Sequence, residues 1–136
     1  MREYTQYVPA IKDSHYYIYS IIRNDLEMPI GKLSAQAGHA YTDALCEARI
    51  SHPEAYSKYR NRQSGGSKVT LKAKNESQLI AAYNQARQAG IPCSIIVDQN
   101  HILPPHFTGE PIITALGIGP CTKEQCRHIT KKFQCL

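Results

Sequence analysis

Four side chains with useful chemistry fall on one stripe of the segment 31–43 when it is wound as a helix at about 100° per residue: Lys32, Gln36, His39 and Asp43. A cation near the start of a helix can act with the first-turn amides on an oxyanion or a phosphate. An imidazole two turns further on can polarise water or hold another group in place. Gln36 stands between them and can bridge both through its amide. Leu33, Ala37, Ala40 and Ala44 form an apolar stripe alongside, and so many alanines let the helix pack close to a sheet. Two further positions carry chemistry at strand ends. Asp98 closes the apolar run 93–97, where it can accept a proton from water or orient Lys32; spacing leaves both open. Thr114 lies in a β-branched run and can donate a hydrogen bond.

The elements that must position these groups are legible from patterning. Tyr16 to Ile22 is apolar at nearly every position and predicts a central strand. Arg23, Asn24, Asp25 and Leu26 follow it as a loop, with Asp25 as a brace before the helix, which spans about Lys32 to Ile50. A strand leading through a loop into a helix is where α/β proteins place ligands. Pro53 to Tyr59 adds a short helix. Lys68 to Ala73 alternates, with Lys68, Thr70 and Lys72 on one side and Val69, Leu71 and Ala73 on the other. Asn75 and Gln78 form a capping box for a helix whose inner face is Leu79, Ala82, Tyr83 and Ala86, stopped at Gly90 and Pro92. Cys93 to Val97 is a short strand, and the path from Lys72 to Val97 has the length of a right-handed crossover. Gln99 to Pro111 is a loop rich in Pro and His that includes His101 and His106. Ile112 to Ile118 is a fourth strand, and Thr122 with Gln125 caps a last helix. This order predicts a small sheet with helices on both faces.

Length and composition bound the rest. The 136 residues suit one domain, with residues 1–15 an N-terminal arm and 16–136 the folded unit. A formal charge of +5 suggests an acidic partner such as RNA. Lys58, Arg60, Arg62, Lys68 and Lys72 flank a Gly-Gly turn and form the candidate RNA surface. The first residues carry no basic-then-apolar signal segment, and no apolar run is long enough to cross a membrane. The expected location is the cytoplasm. Five cysteines form no regular framework and are expected as thiols. Cys121, Cys126, His128 and Cys135 are close in sequence but lack a Cys-x-x-Cys pair, so no metal site is expected.

Arg23-Asn24-Asp25-Leu26, Met28, Gly31-Lys32, Ala35-Gln36, His39-Ala40, Asp98 and the run Thr114-Ala115-Leu116-Gly117-Ile118-Gly119-Pro120 together resemble the type 2 peptidyl-tRNA hydrolases of archaea and eukaryotes. The resemblance spans about Tyr16 to Leu136. It implies a three-layer α/β/α sandwich on a four-stranded mixed sheet, often a homodimer, with no metal or organic cofactor. It implies hydrolysis of the ester between a peptide and the 3′ end of tRNA. Lys32, His39, Asp98 and Thr114 become the expected catalytic groups. Arg23, Asp25 and Gln36 become the expected substrate contacts. The chain departs from the family after Asp98, where Gln99-Asn100-His101-Ile102 replaces a short Ala-Gly-Arg-Thr-type turn and the loop is longer. A non-catalytic RNA- or protein-binding member of the same fold is the alternative.

Overall fold

The computed structural model describes residues 15–61 and 65–136. The N-terminal arm up to Ser14 and Arg62 lie outside the described residues. His15, which the sequence reading counts with the arm, is buried and bonds Ser67 Oγ through its Nε2 at 2.7 Å.

Strand β1 (Tyr16–Arg23) leads through a 3-10 turn (Asn24–Leu26) into α1 (Ile30–Ser51) and α2 (Pro53–Arg60). Then follow β2 (Gly65–Ala73), α3 (Glu76–Gln88), β3 (Cys93–Asp98), the two-residue strands β4 (Ile102–Leu103) and β5 (Phe107–Thr108), β6 (Ile112–Thr122), α4 (Lys123–Thr130) and β7 (Gln134–Cys135). The main sheet has the order β3-β6-β1-β2-β7. Strands β1 and β2 pair in parallel, and β6 runs antiparallel to both β1 and β3. Strands β1, β2 and β3 therefore all finish at the same end of the sheet. The β2–α3–β3 connection joins parallel strands, as its length suggests, but passes over β1 and β6 on the way.

The four-stranded sheet of the sequence reading gains a fifth strand, and β4 and β5 form a separate ribbon. Two-residue strands carry no alternation to detect; β7 is recruited by pairing with the edge of β2 at Leu71 and Lys72.

β1 is buried on both faces because helices cover both. Ile18, Ser20 and Ile22 face α1 and α2, while Tyr19 and Ile21 join Leu79, Ala82, Ala86, Cys126 and Ile129 under α3 and α4. The α1 layer packs closely because its inner face is Ala37, Ala40, Ala44 and Ala48. Gly117 of β6 completes that approach: a Cβ there would stand 2.2 Å from the carbonyl oxygen of Ala40. Gly119 has a second reason to be glycine, with φ +114° and Tyr17 O 2.5 Å from where a Cβ would stand.

The helix starts obey local chemistry. Thr122 and Gln125 form a complete capping box on α4. On α3, Asn75 caps the Gln78 N–H, but the Gln78 side chain accepts from the Lys74 amide instead of closing the box on Asn75. No side chain caps the first turn of α1, which follows Pro29. Among the described residues no helix is long and apolar enough to cross a membrane.

Candidate active site

The site forms where β1 and β3 end and β6 begins, beneath the first two turns of α1. Lys32 projects from the first turn of α1, and its Nζ lies 3.0 Å from Asp98 Oδ2. The two side chains are only 13% and 17% exposed, so the pair is partly withdrawn from solvent. Lys32 Nζ also meets His101 Nδ1 at 2.6 Å. An ammonium offers only donors, so Nδ1 accepts and the ring proton of His101 lies on Nε2. Beneath them the Phe107 ring is centred 4.3 Å from Lys32 Nζ, a cation–π distance.

Asp98 reaches this place because Ile96 and Asp98 alternate with Val97 and point to the α1 side. The hairpin that follows supplies His101 and Phe107. Asn100, with φ +62°, turns the chain, and hydrogen bonds from Asn100 N to Gly109 O and from Gly109 N to His101 O tie the hairpin shut.

Gln36 is the second inward group. It is 5% exposed, and its Oε1 accepts a hydrogen bond of 2.5 Å from the hydroxyl of Thr114, itself fully buried. With Oε1 occupied, Gln36 keeps its amide N–H groups for another partner. Thr114 stands at a β-bulge: Ile96 pairs with Ala115 and Val97 with Ile113, leaving Thr114 as the extra residue of β6. A bulge re-aims a side chain off the strict two-residue alternation, and here it turns the Thr114 hydroxyl to α1. Thr114 therefore touches Gln36 and is walled off from solvent.

Arg23 and Asp25 hold the floor. Arg23 donates to both oxygens of Asp25 at 3.1 and 2.7 Å, and to the carbonyl of Ile113 at 3.0 Å. The guanidinium holds the Asp25 carboxyl below its usual value. These two residues are spent on one another and on β6, which locks the exit of β1 to the start of β6.

The stripe read from sequence is divided by the packing. Measured from Ala44 in the buried face, Gln36 lies about 80° round the helix and His39 about 140°. Gln36 is buried, whereas His39 and Asp43 are exposed. Lys32 enters the site by the reach of its long side chain. His39 is brought to none of the groups around Lys32. His101, which with His106 the sequence reads as a loop histidine able to reach the site opening, is exposed and meets Lys32.

The expected RNA surface is also divided. Lys58 pairs with Glu54 at 3.2 Å and lies over the Tyr16 ring. Lys68 donates to the Tyr59 hydroxyl at 2.8 Å and lies over the rings of Tyr41 and Tyr59. Arg60 is exposed nearby. These residues belong to the opposite end of the sheet from Asp98, and only Lys72 lies toward the site end. Among the described residues no group of three or more His, Cys, Asp or Glu side chains could hold a metal ion.

Fold and site together define a three-layer α/β sandwich with an ammonium–carboxylate pair at its strand ends, beside the uncapped start of a helix, an arrangement suited to ester hydrolysis. Comparison with known proteins gives the family. The family described as "Peptidyl-tRNA hydrolase PTH2" matches residues 16–136. The chain is 40% identical over 116 residues to a peptidyl-tRNA hydrolase of Methanocaldococcus jannaschii, covering 85% of this chain and 96% of that one. It is 33% identical over 121 residues to a peptidyl-tRNA hydrolase of Sulfolobus acidocaldarius, covering 85% and 96%. A probable peptidyl-tRNA hydrolase 2 of Dictyostelium discoideum is 32% identical over 114 residues, which is 84% of this chain and 51% of that one. This chain belongs to the PTH2 family of peptidyl-tRNA hydrolases.

Proposed function

We propose that the protein hydrolyses the ester joining a peptide to the 3′ end of tRNA, with Lys32 and Asp98 as the reacting pair. The observation that supports this most directly is the Lys32–Asp98 contact of 3.0 Å in a half-dry pocket at the start of α1. Asp98 gives one oxygen, Oδ2, to Lys32, which leaves Oδ1 to accept a proton from water. That water attacks the ester carbonyl carbon. The tetrahedral oxyanion is met by the Lys32 ammonium and the uncapped first-turn amides of α1, donors aimed where charge develops. Gln36, steadied by Thr114, offers its amide N–H groups to the substrate beside them. Collapse breaks the bond to the tRNA oxygen, which leaves as the 3′-terminal hydroxyl after taking the proton from Asp98. The peptide departs as a carboxylic acid and ionises.

His101 gives Lys32 a second polar partner beside Asp98, and the Phe107 ring lies against its ammonium. Such an enzyme works where translation runs, in the cytoplasm.

The test is incubation of the purified protein with N-acetyl-aminoacyl-tRNA and with its unblocked aminoacyl counterpart, beside Lys32→Ala. Release of tRNA from the blocked substrate, lost in the variant, is expected. Binding of tRNA by a folded protein that releases nothing would overturn the reading in favour of a non-catalytic member of the fold.

A further inference from the structure

A second polar cleft opens at the same end of the sheet, beyond β2. It has a volume of about 360 Å³ and is lined by Asn24, Lys72, Lys74, Gln78, Lys132 and Gln134, with Ala73 at its base. That volume lies within the roughly 300–1,000 Å³ of ligand-sized sites. Its lining contains three lysines and no carboxylate. Among the described residues none of the three lysines has an acidic partner within ion-pair distance, unlike Lys32 and Lys58. Gln78 uses its Oε1 on the Lys74 amide, so what it has left is its pair of N–H donors.

The cleft is built rather than loosely decorated. Gln134 faces Lys72 across the β2–β7 ladder, and the Leu136 amide bonds Thr70 O at 3.0 Å, which anchors the tail. Phe133 packs against the core and fixes the turn that carries Lys132. Three like charges converging on one cavity repel one another, and an anion between them reverses the sign of that interaction.

We infer that this cleft is a subsite for a phosphate of the tRNA backbone, a few nucleotides from the ester, held by Lys72, Lys74 and Lys132. The inference rests on the peptidyl-tRNA reading for the identity of the anion. Strands β2 and β3 end side by side with β1 and β6 between them, three strand spacings or about 14 Å apart. With the ester at Asp98 on the end of β3, the preceding nucleotides can cross the strand ends to the cleft beside β2. Lys58 and Lys68 lie at the far end of the sheet and are already occupied by Glu54, Tyr16, Tyr41 and Tyr59, so they are poorer candidates for the same phosphate.

The test uses the full chain and the variants Lys74→Ala, Lys132→Ala and their double. Binding of deacylated tRNA is measured across a salt series, and hydrolysis is measured on N-acetyl-aminoacyl-tRNA and on an N-acetyl-aminoacyl-adenosine lacking the upstream phosphates. Each substitution is expected to weaken tRNA binding several-fold and to lower the salt slope by about 1. Loss on the tRNA substrate is expected in KM, with the adenosine ester cleaved as by the parent, and Lys74→Arg is expected to retain binding. Unchanged affinity and slope in the double variant would overturn the inference. So would an equal loss on the adenosine ester, which would mark a structural role. Displacement of tRNA by micromolar inorganic phosphate would assign the cleft to a small free anion instead, and overturn it too. If the parent protein cleaves neither ester, the hydrolase reading fails, and the binding series still decides the fate of the cleft.

Discussion

Replacing Thr114 with valine keeps the shape of the side chain and removes one hydroxyl. Thr114 is fully buried and Gln36 nearly so, at 0% and 5% exposure, so water cannot replace the lost donor. Gln36 Oε1 is then left as an unpaired buried acceptor, at a cost of about 1–3 kcal/mol. For a domain of this size that lowers Tm by about 4–12 °C. Gln36→Leu costs a similar amount by stranding the Thr114 hydroxyl. The double variant has an apolar pair in place of the polar one and should recover part of the loss, with a coupling energy of about 1–2 kcal/mol. Urea unfolding of the four proteins measures this cycle. Activity gives a second, independent reading of the same pair. If Thr114 works only by holding Gln36, the double variant hydrolyses peptidyl-tRNA at the rate of Gln36→Leu alone. Unfolding of Thr114→Val at the parental temperature, or rate losses that multiply in the double variant, would refute the reasoning and return the hydroxyl to the substrate.

Lys32→Met should lower kcat by about 10²–10³-fold, the usual cost of one oxyanion donor, whereas His39→Ala, altering an exposed residue remote from the pair, should leave kcat nearly unchanged in the same assay. His101→Ala removes one of two polar partners of Lys32 and is expected to reduce kcat by less than Lys32→Met while leaving KM for tRNA in place. Gly117→Ala drives a Cβ onto the Ala40 carbonyl and must displace α1; chemical denaturation should show a loss of about 1–3 kcal/mol or more, together with lower kcat because Lys32 and Gln36 move with the helix. The Asp25 carboxyl is held low by Arg23, so its contribution to stability is present above the unfolded value of about 4 and fades as pH falls through the lower folded value. Tm measured from pH 2 to 6 should therefore depend less on pH in Asp25→Asn than in the parent.

Most of the frame was legible in the sequence because it is written in long periodic runs. The apolar run 16–22, the alternation of 68–73 and the alanine stripe of α1 each placed an element on the right layer. The capping residues Asn75 and Thr122 marked helix starts to the residue. The strands β4, β5 and β7 escaped because two residues carry no period and their pairing is decided by tertiary neighbours. Type and spacing singled out Lys32, Gln36 and Asp98; the structure sets Lys32 against Asp98 and buries Gln36. His39 was grouped with them because seven residues bring a helix almost full circle; the remaining 20° turns its short side chain to solvent, while the longer lysine spans the gap. The contact of Thr114 with Gln36 was not legible, because the bulge that aims it there is invisible to a two-residue alternation. No signal in the sequence distinguished His101 from His106.

The loop that follows Asp98 supplies two of the groups around Lys32. The 100–109 hairpin folds back so that His101 Nδ1 and the Phe107 ring centre lie 2.6 Å and 4.3 Å from the Lys32 ammonium. One group offers a lone pair and the other a π face, and neither is a second anion beside Asp98. The pair keeps one carboxylate oxygen and the α1 amides open on the substrate side. Fixed dipoles in place of part of the solvent around an ammonium strengthen its field on a nearby negative charge.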